Sequence, residues 1–123
     1  MSIGLLKEMF EEMVLKKQAD LIPKYYHPEF LLTTNGEEMN YSTFLQMHEE
    51  VYATEIRYSV VYDEETLLEQ GEKVAGRVWI TVQNPGEPKR EIEVVLIAAY
   101  KEGKLYRLWE LTYPDWSKLE EFS

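Results

Sequence analysis

The chain has 123 residues and a formal net charge of −10, from 13 Lys and Arg against 23 Asp and Glu. Because such a field repels a phosphate backbone, nucleic acid is excluded as an expected partner. The sequence has no cysteine, which excludes a disulfide framework, a thiolate nucleophile and a cysteine-based zinc site.

The length and the first residues indicate the class of protein. A chain of 123 residues is most simply one domain, which can bury roughly two thirds of the surface that its unfolded form exposes. Acidic residues interrupt the apolar ones in MSIGLLKEMFEEMV, so this stretch lacks the apolar block of a signal peptide or a membrane span. We therefore predict a single cytoplasmic domain over residues 1–123, with no membrane partner.

Two helices and a short strand are predicted at the start of the chain. Apolar residues recur with helical spacing from Leu6 to Val14, which predicts an amphipathic helix. LIPKYY, residues 21–26, predicts a second, short helix, which must end before Pro28 because proline disfavours helical geometry in the residue preceding it. EFLLTTNG, residues 29–36, then predicts a brief strand that ends at a turn.

A third helix is predicted over residues 41–54, and it places a histidine on an apolar face. The residues that share this face are Tyr41, Phe44, Leu45, His48, Val51 and Tyr52. In an apolar cavity, the neutral imidazole of His48 can shuttle a proton or orient a ligand oxygen. A lone histidine on such a face is also commonly a core residue that is hydrogen-bonded within the protein, so both roles stay open.

Four long strands are predicted in the second half of the chain, at residues 56–70, 73–83, 90–101 and 104–113. Short links rich in Gly, Pro and Asn join them, which predicts an antiparallel meander. Helices followed by such a sheet form an α+β layout, in which the helices cover one face of the sheet.

The third of these strands contains IEVVLIAAY, residues 92–100, in which both alternating sets of side chains are apolar. The helices can cover only one face of the strand, so the other face needs a second cover. We predict a homodimer that forms through the outer face of the sheet, and an overhanging loop is the alternative.

The order of these elements and three stretches carry a family resemblance. The stretches are YYHPEFLLTTNG at 25–36, GEKVAGRVWITV at 71–82 and KEGKLYRLWELTYPDW at 101–116. Together they resemble the nuclear transport factor 2-like superfamily, in particular its SnoaL-like, polyketide cyclase-like branch. The resemblance implies a cystatin-like α+β fold, with a cone-shaped, curved antiparallel sheet covered on its concave face by about three N-terminal helices. It also implies a cavity between the helices and the sheet.

Glu110 is an unexpected carboxylate in the last predicted strand. By alternation it shares a face with Tyr106, Leu108 and Thr112. If that face meets the cavity, burial raises the pKa of Glu110 and suits it to general acid or base catalysis. If it faces outward, Glu110 pairs with a cation such as Arg77 or is hydrated. The resemblance favours the cavity, because acid-base carboxylates of that family stand on strands or on helix positions that face it.

The resemblance also suggests which residues contact a ligand. We predict Glu110 and His48 as catalytic groups, and as ligand contacts Tyr25, Tyr26, Phe44, Tyr52, Trp79 and Leu108. Trp79 is a candidate for either the cavity wall or the dimer surface. No metal-ligand cluster, phosphate-binding loop or dinucleotide motif occurs, so we expect neither a metal nor a cofactor.

The predicted function is the binding of a small, largely apolar organic molecule. The residues suit isomerisation, cyclisation or dehydration by proton transfer without a cofactor. The alternative, from another class, is a noncatalytic interaction or assembly module of the same fold.

Overall fold

The three predicted helices are present in the computed structural model, which describes residues 2–122. The helical segments of this region are α1 at Ser2–Met9, a π-helical turn at Phe10–Val14, a 3₁₀ turn at Ala19–Leu21, α2 at Ile22–Tyr25 and α3 at Tyr41–Tyr52. The Asn40 side chain accepts a hydrogen bond of 2.9 Å from the backbone N–H of Thr43, which caps α3. None of the helices within residues 2–122 has the length and hydropathy needed to cross a bilayer.

The four predicted long strands are confirmed, and they belong to one curved six-stranded sheet. The strands are β1 at Tyr26–Thr34, β2 at Glu37–Asn40, β3 at Arg57–Gln70, β4 at Lys73–Gln83, β5 at Arg90–Lys101 and β6 at Lys104–Tyr113. Their order in the sheet is β2-β1-β6-β5-β4-β3. The α+β fold class is therefore confirmed, with α1 over β3 and β4, and α2 and α3 beside β1.

The sheet is mixed, whereas the sequence predicted an antiparallel one. β1 pairs with β6 in parallel, and all the other pairs are antiparallel. β2 was not predicted, because its four residues, EEMN, carry no alternation of apolar and polar residues. It forms a hairpin with β1 through Asn35 and Gly36, whose φ angles of 51° and 86° are those of a tight two-residue turn.

A bulge in β3 bends the sheet. Asp63 pairs with Arg77 and Leu68 pairs with Ala75, so residues 64–67 of β3 lie opposite Gly76 alone. A Cβ atom on Gly76 would lie 2.5 Å from Cδ2 of Leu67 and 3.0 Å from its Cα, so glycine permits this close approach. Such bulges increase the local twist of a strand.

The side chains of β5 alternate between the two faces of the sheet. On the concave face, Ile92, Val94, Leu96 and Ala98 are buried against the helices. We call the opposite side the outer face. Its large hydrophobic residues, which are between 41% and 79% exposed, are Val61, Leu68, Val95, Ile97, Trp109, Leu111 and Tyr113. A strand that is apolar on both sides therefore has one face in the core and one face exposed in the single chain.

Candidate active site

A cavity of about 150 Å³ lies between α1, α3 and the concave face of the sheet. Its walls are mostly apolar, as expected where helices pack on the inward residues of β4, β5 and β6. The titratable side chains in its wall are Tyr26, His48, Tyr52, Tyr58 and Glu110. No group of three or more His, Cys, Asp or Glu side chains within residues 2–122 is arranged to hold a metal ion.

Glu110 lies on the concave face of β6, on the same side as Leu108 and Thr112, and lines the cavity. The Thr34 hydroxyl donates a hydrogen bond of 2.9 Å to its Oε2 atom. Burial raises the pKa of the Glu110 carboxyl to about 6, against the opposing effect of the Thr34 hydrogen bond. Arg77 is not its partner, because that guanidinium pairs with Asp63 at 2.7 Å and with Glu93 at 2.9 Å.

A hydrogen-bonded chain connects Glu110 to the C-terminal segment. The indole N–H of Trp116 donates to the Thr34 hydroxyl at 2.8 Å, and Thr34 in turn donates to Glu110. Parallel pairing of β1 with β6 places Thr34 directly opposite Glu110. The Thr34 oxygen accepts the hydrogen bond of the indole N–H, so the single hydroxyl proton of Thr34 is available for donation to the Glu110 carboxylate.

His48 is held by its own helix. Its Nδ1 lies 2.8 Å from the backbone oxygen of Phe44, and since a carbonyl only accepts, Nδ1 carries the proton. Nε2 is then an acceptor. The imidazole also packs on the Phe44 ring at 4.0 Å and meets the Tyr52 ring edge-on at 5.3 Å. Burial lowers the pKa of His48 to about 4, with the hydrogen bond to Phe44 opposing the shift, so the ring is neutral near pH 7.

The C-terminal segment after β6 closes one side of the cavity. It contains 3₁₀ turns at Trp116–Lys118 and Glu120–Phe122, and the rings of Trp116 and Phe122 both line the cavity. The buried carboxylate of Glu121 anchors it through an ion pair of 2.8 Å with Arg90. At its start, the Asn35 side chain donates a hydrogen bond of 3.3 Å to the Asp115 carboxylate, which ties the segment to the β1–β2 turn.

The structure brings six of the eight predicted site residues to the cavity wall. They are Tyr26, Phe44, His48, Tyr52, Leu108 and Glu110. Tyr26 packs against Phe30 and Phe44, at ring distances of 4.8 and 4.7 Å. The functional roles of these residues are not decided by their position and stay predictions.

Tyr25 and Trp79 lie away from the cavity wall, which corrects their prediction as ligand contacts. Tyr25 donates a hydrogen bond of 2.8 Å to Glu8 of α1, because the chain becomes extended at Tyr26 and turns the two tyrosines to different sides. Trp79 is on the outer face, where the Arg77 guanidinium lies 4.7 Å from its ring centroid. Its neighbour Val78 takes the buried side of β4.

Thr34 and Trp116 are site residues that sequence reasoning missed. Both lie in the stretches that carry the family resemblance, but neither has a spacing that points to Glu110. The contact of Thr34 with the carboxylate depends on the β1–β6 pairing, and the contact of Trp116 with Thr34 depends on the fold of the C-terminal segment. No local sequence pattern predicts either contact.

The fold is shared with several solved structures, although no protein-family model matches the sequence and no curated protein matches it. PrhC from Penicillium brasilianum is 16% identical, with 90% of this chain and 79% of that chain covered and a TM-score of 0.73. A candidate polyketide cyclase from Acidithiobacillus ferrooxidans is 14% identical, with 99% and 96% covered and a TM-score of 0.70. A candidate SnoaL-like polyketide cyclase from Jannaschia sp. CCS1 is 13% identical, with 90% and 84% covered and a TM-score of 0.70.

The chain has the SnoaL-like fold. The predicted resemblance to this branch is therefore confirmed at the level of fold. Identities of 13–16% do not carry an activity from these proteins to this chain. In the SnoaL-like fold seen here, the cavity lies between the helices and the concave sheet face, where the resemblance implied it.

Proposed function

We propose that the protein binds a small, largely apolar organic molecule in the cavity and moves a proton on it without a cofactor. The observation that carries this proposal is a carboxylate, Glu110, set in a mostly apolar wall with a pKa raised to about 6. A group that titrates close to neutral pH is populated in both protonation states, which is what a general acid or base requires.

Glu110 and His48 have different parts in this proposal. Glu110 takes a proton from a carbon next to a carbonyl group, and the C–H electron pair moves into the carbonyl to give an enolate, which is then reprotonated. His48 stays neutral and offers the Nε2 lone pair to a ligand O–H or N–H group. Isomerisation, cyclisation and dehydration of carbonyl compounds can each proceed through such a step. The names of the structural neighbours, which include polyketide cyclases, agree with this reaction class.

Deuterium exchange tests the proposed reaction with a simple probe. The probe is 2-cyclohexen-1-one in D₂O, and the loss of its exchangeable C–H signals is followed by proton NMR. We expect the wild-type protein to accelerate exchange and Glu110→Gln to lower the rate by about 10²–10⁴-fold. The control is Glu49→Gln, which changes an exposed carboxylate on α3. Equal rates for the wild type and Glu110→Gln would show that Glu110 is not the base.

We also propose that two copies associate through the outer face. Among residues 2–122, seven large hydrophobic residues are exposed there, and two cross-strand pairs, Val95 with Leu111 and Ile97 with Trp109, join them across β5 and β6. The nearby Arg77 is neutralised by Asp63 and Glu93, so the patch contains no unpaired cation at that point. A second copy supplies an apolar surface of matching chemistry.

The exposed outer face also supports a second candidate function, a noncatalytic assembly module. In that case the outer face carries the function and the cavity is only a packing defect. Glu110→Gln would then leave function unchanged, whereas a charge placed on the outer face would abolish assembly. Since the first proposal also includes a dimer, Glu110→Gln is the variant that separates the two functions.

A further inference from the structure

Both the backbone and the side chain of Glu110 are held by the end of β1. The Asn35 backbone N–H donates to the Glu110 carbonyl oxygen at 3.0 Å, and the Thr34 hydroxyl donates to Oε2 at 2.9 Å. The other carboxylate oxygen, Oε1, forms no hydrogen bond within the described residues, 2–122. In that region the buried side-chain oxygens without a partner are Tyr52 Oη and Glu121 Oε1, so Oε1 of Glu110 is an accessible atom. The protein therefore fixes one oxygen of the carboxylate and leaves the other open.

The indole of Trp116 restricts where the Thr34 hydroxyl proton can point. A hydroxyl has a single proton, which can rotate between different acceptors. The indole N–H can only donate, and it lies 2.8 Å from the Thr34 oxygen, so the hydroxyl proton cannot point at the indole. This restriction favours donation to Glu110. Successive hydrogen bonds also polarise one another, which strengthens each bond by roughly 10–30%.

The start of the C-terminal segment holds this indole in place. The backbone N–H of Trp116 donates to the Thr112 hydroxyl at 3.3 Å. The Asn35 amide donates to the same hydroxyl at 2.8 Å and to the Asp115 carboxylate at 3.3 Å. The β1–β2 turn, the end of β6 and the start of the segment therefore form one network beside the carboxylate.

We propose that Trp116 is a positioning residue that acts through Thr34, by keeping the Thr34 hydroxyl proton directed at the Glu110 carboxylate. The inference rests on the proposed function in taking Glu110 as the base. In this role Trp116 transfers no proton. Its effect on Glu110 should therefore vanish when the Thr34 hydroxyl is absent.

The titration of Glu110 measures this role without a substrate. The signal is the carboxyl ¹³C NMR resonance of Glu110 against pH, which is assigned by its absence in Glu110→Gln. The other titratable side chains in the cavity wall are Tyr26, His48, Tyr52 and Tyr58. Burial lowers the pKa of His48 to about 4 and raises the pKa values of the three tyrosines, so all four groups are neutral near pH 6. Asp115 is ionised there, because hydrogen bonds from Ser117 lower its pKa.

The direction of the shift distinguishes positioning from packing. Trp116→Phe should raise the Glu110 midpoint by roughly 0.1–0.6 pH unit, since a hydrogen bond to a charged group is equivalent to about 1–2 pH units and part of its strength is lost. Burial raises the pKa of Glu110 to about 6, so a Trp116 that only closed the cavity would admit water on truncation and lower the midpoint. Phe122→Leu, which shortens another ring of the cavity wall, is the control and should not raise the midpoint.

A double-mutant cycle tests whether the indole acts through the hydroxyl. Thr34→Ser keeps the hydroxyl, so Trp116→Phe should still raise the midpoint in that background. Thr34→Val removes the hydroxyl, so Trp116→Phe should no longer raise it. An unchanged or lowered midpoint in Trp116→Phe, or a rise that persists in the Thr34→Val background, would overturn the inference.

The proposed function can fail separately from this inference. In the exchange assay, the midpoint of the rate against pH should move with the Glu110 titration. Equal exchange of 2-cyclohexen-1-one by the wild type and Glu110→Gln would overturn Glu110 as the base, while the titration cycle would still decide whether Trp116 acts on the carboxylate through Thr34.

Discussion

Replacing Glu110 with glutamine should make the protein more stable above pH 6 by about 2 kcal/mol. The pKa of Glu110 is raised from 4.5 to about 6 by burial. At about 1.4 kcal/mol per pH unit, this difference corresponds to about 2 kcal/mol of destabilisation when the carboxylate is ionised in the folded state. Glutamine keeps the acceptor for Thr34 and never ionises, so the variant escapes this cost.

The sign of the pH dependence follows from the two pKa values. Below pH 4.5, both the folded and the unfolded states hold the Glu110 proton, and the group makes no contribution. Between pH 4.5 and about 6, the unfolded state releases the proton first, so the free energy of unfolding falls as the pH rises. Above about pH 6, the full destabilisation by the ionised Glu110 carboxylate is present.

His48 acts in the opposite direction over an overlapping range. Its pKa is lowered from 6.5 to about 4, so the unfolded state takes up a proton before the folded state does as the pH falls. The free energy of unfolding therefore falls on going from pH 6.5 towards pH 4. The wild-type stability curve mixes both groups, whereas the difference between the wild type and Glu110→Gln isolates the carboxyl.

Urea unfolding at about pH 4 and about pH 7.5, at one protein concentration, measures the effect. We expect the variant to gain about 2 kcal/mol relative to the wild type between these two conditions. The control, Glu49→Gln, makes the same substitution at an exposed carboxylate on α3. A difference between the wild type and Glu110→Gln that is equal at both pH values would refute the argument that Glu110 is desolvated.

Three further predictions address the neighbouring structure. Thr34→Val should raise the pKa of Glu110 further, because the hydroxyl stabilises the carboxylate, and the midpoint of the exchange rate against pH should move upward from about 6. Leu111→Asp should convert a dimer to a folded monomer in sedimentation experiments at micromolar concentration, and a wild-type monomer would contradict the outer-face interface. Gly76→Ala should lower the free energy of unfolding by about 1–3 kcal/mol because its Cβ would overlap Leu67. Gly4→Ala, which meets no atom within 4 Å, should not lower it.

The elements of the fold are predictable because their residues repeat with the period of each element. Alternation places Ile92, Val94 and Leu96 on one side of β5, and the structure buries all three. The same period correctly groups Glu110 with Leu108 and Thr112, but a register shift in the pairing with β5 leaves Tyr106 out of the predicted set. The sequence leaves open the choice of face and this irregularity. That choice depends on where the helices pack, which is a tertiary property.

The neighbour of β1 in the sheet is not predictable from local patterns. A nine-residue strand with a Pro28 near its start carries no signal for pairing with a strand that lies about seventy residues later. Thr34 meets Glu110 only through this pairing, so the hydrogen bond that holds the carboxylate could not be foreseen. The structure corrects the prediction of Tyr25 as a ligand contact for a related reason. The exact residue at which α2 ends determines which of the two tyrosines points inward.

Several predictions are not tested by the fold. The extent of the domain, the cytoplasmic location, the dimer and the identity of the ligand stay predictions. The proposed roles of Glu110 and His48 also stay predictions, although both line one cavity. The catalytic roles depend on reactivity, which the exchange measurements address directly. The dimer depends on association, which the sedimentation measurements address directly.

The three tryptophans are divided between the two sides of the sheet, and this division provides separate optical reporters. Trp116 lies in the cavity wall, and its indole N–H donates a hydrogen bond to Thr34, the partner of the Glu110 carboxylate. Its fluorescence emission should therefore respond to ligand binding in the cavity and to protonation of Glu110. Trp79 and Trp109 lie on the opposite side, where their emission should respond to self-association. Variants that retain a single indole would allow the chemistry of the interior and the assembly of the exterior to be recorded independently by fluorescence spectroscopy.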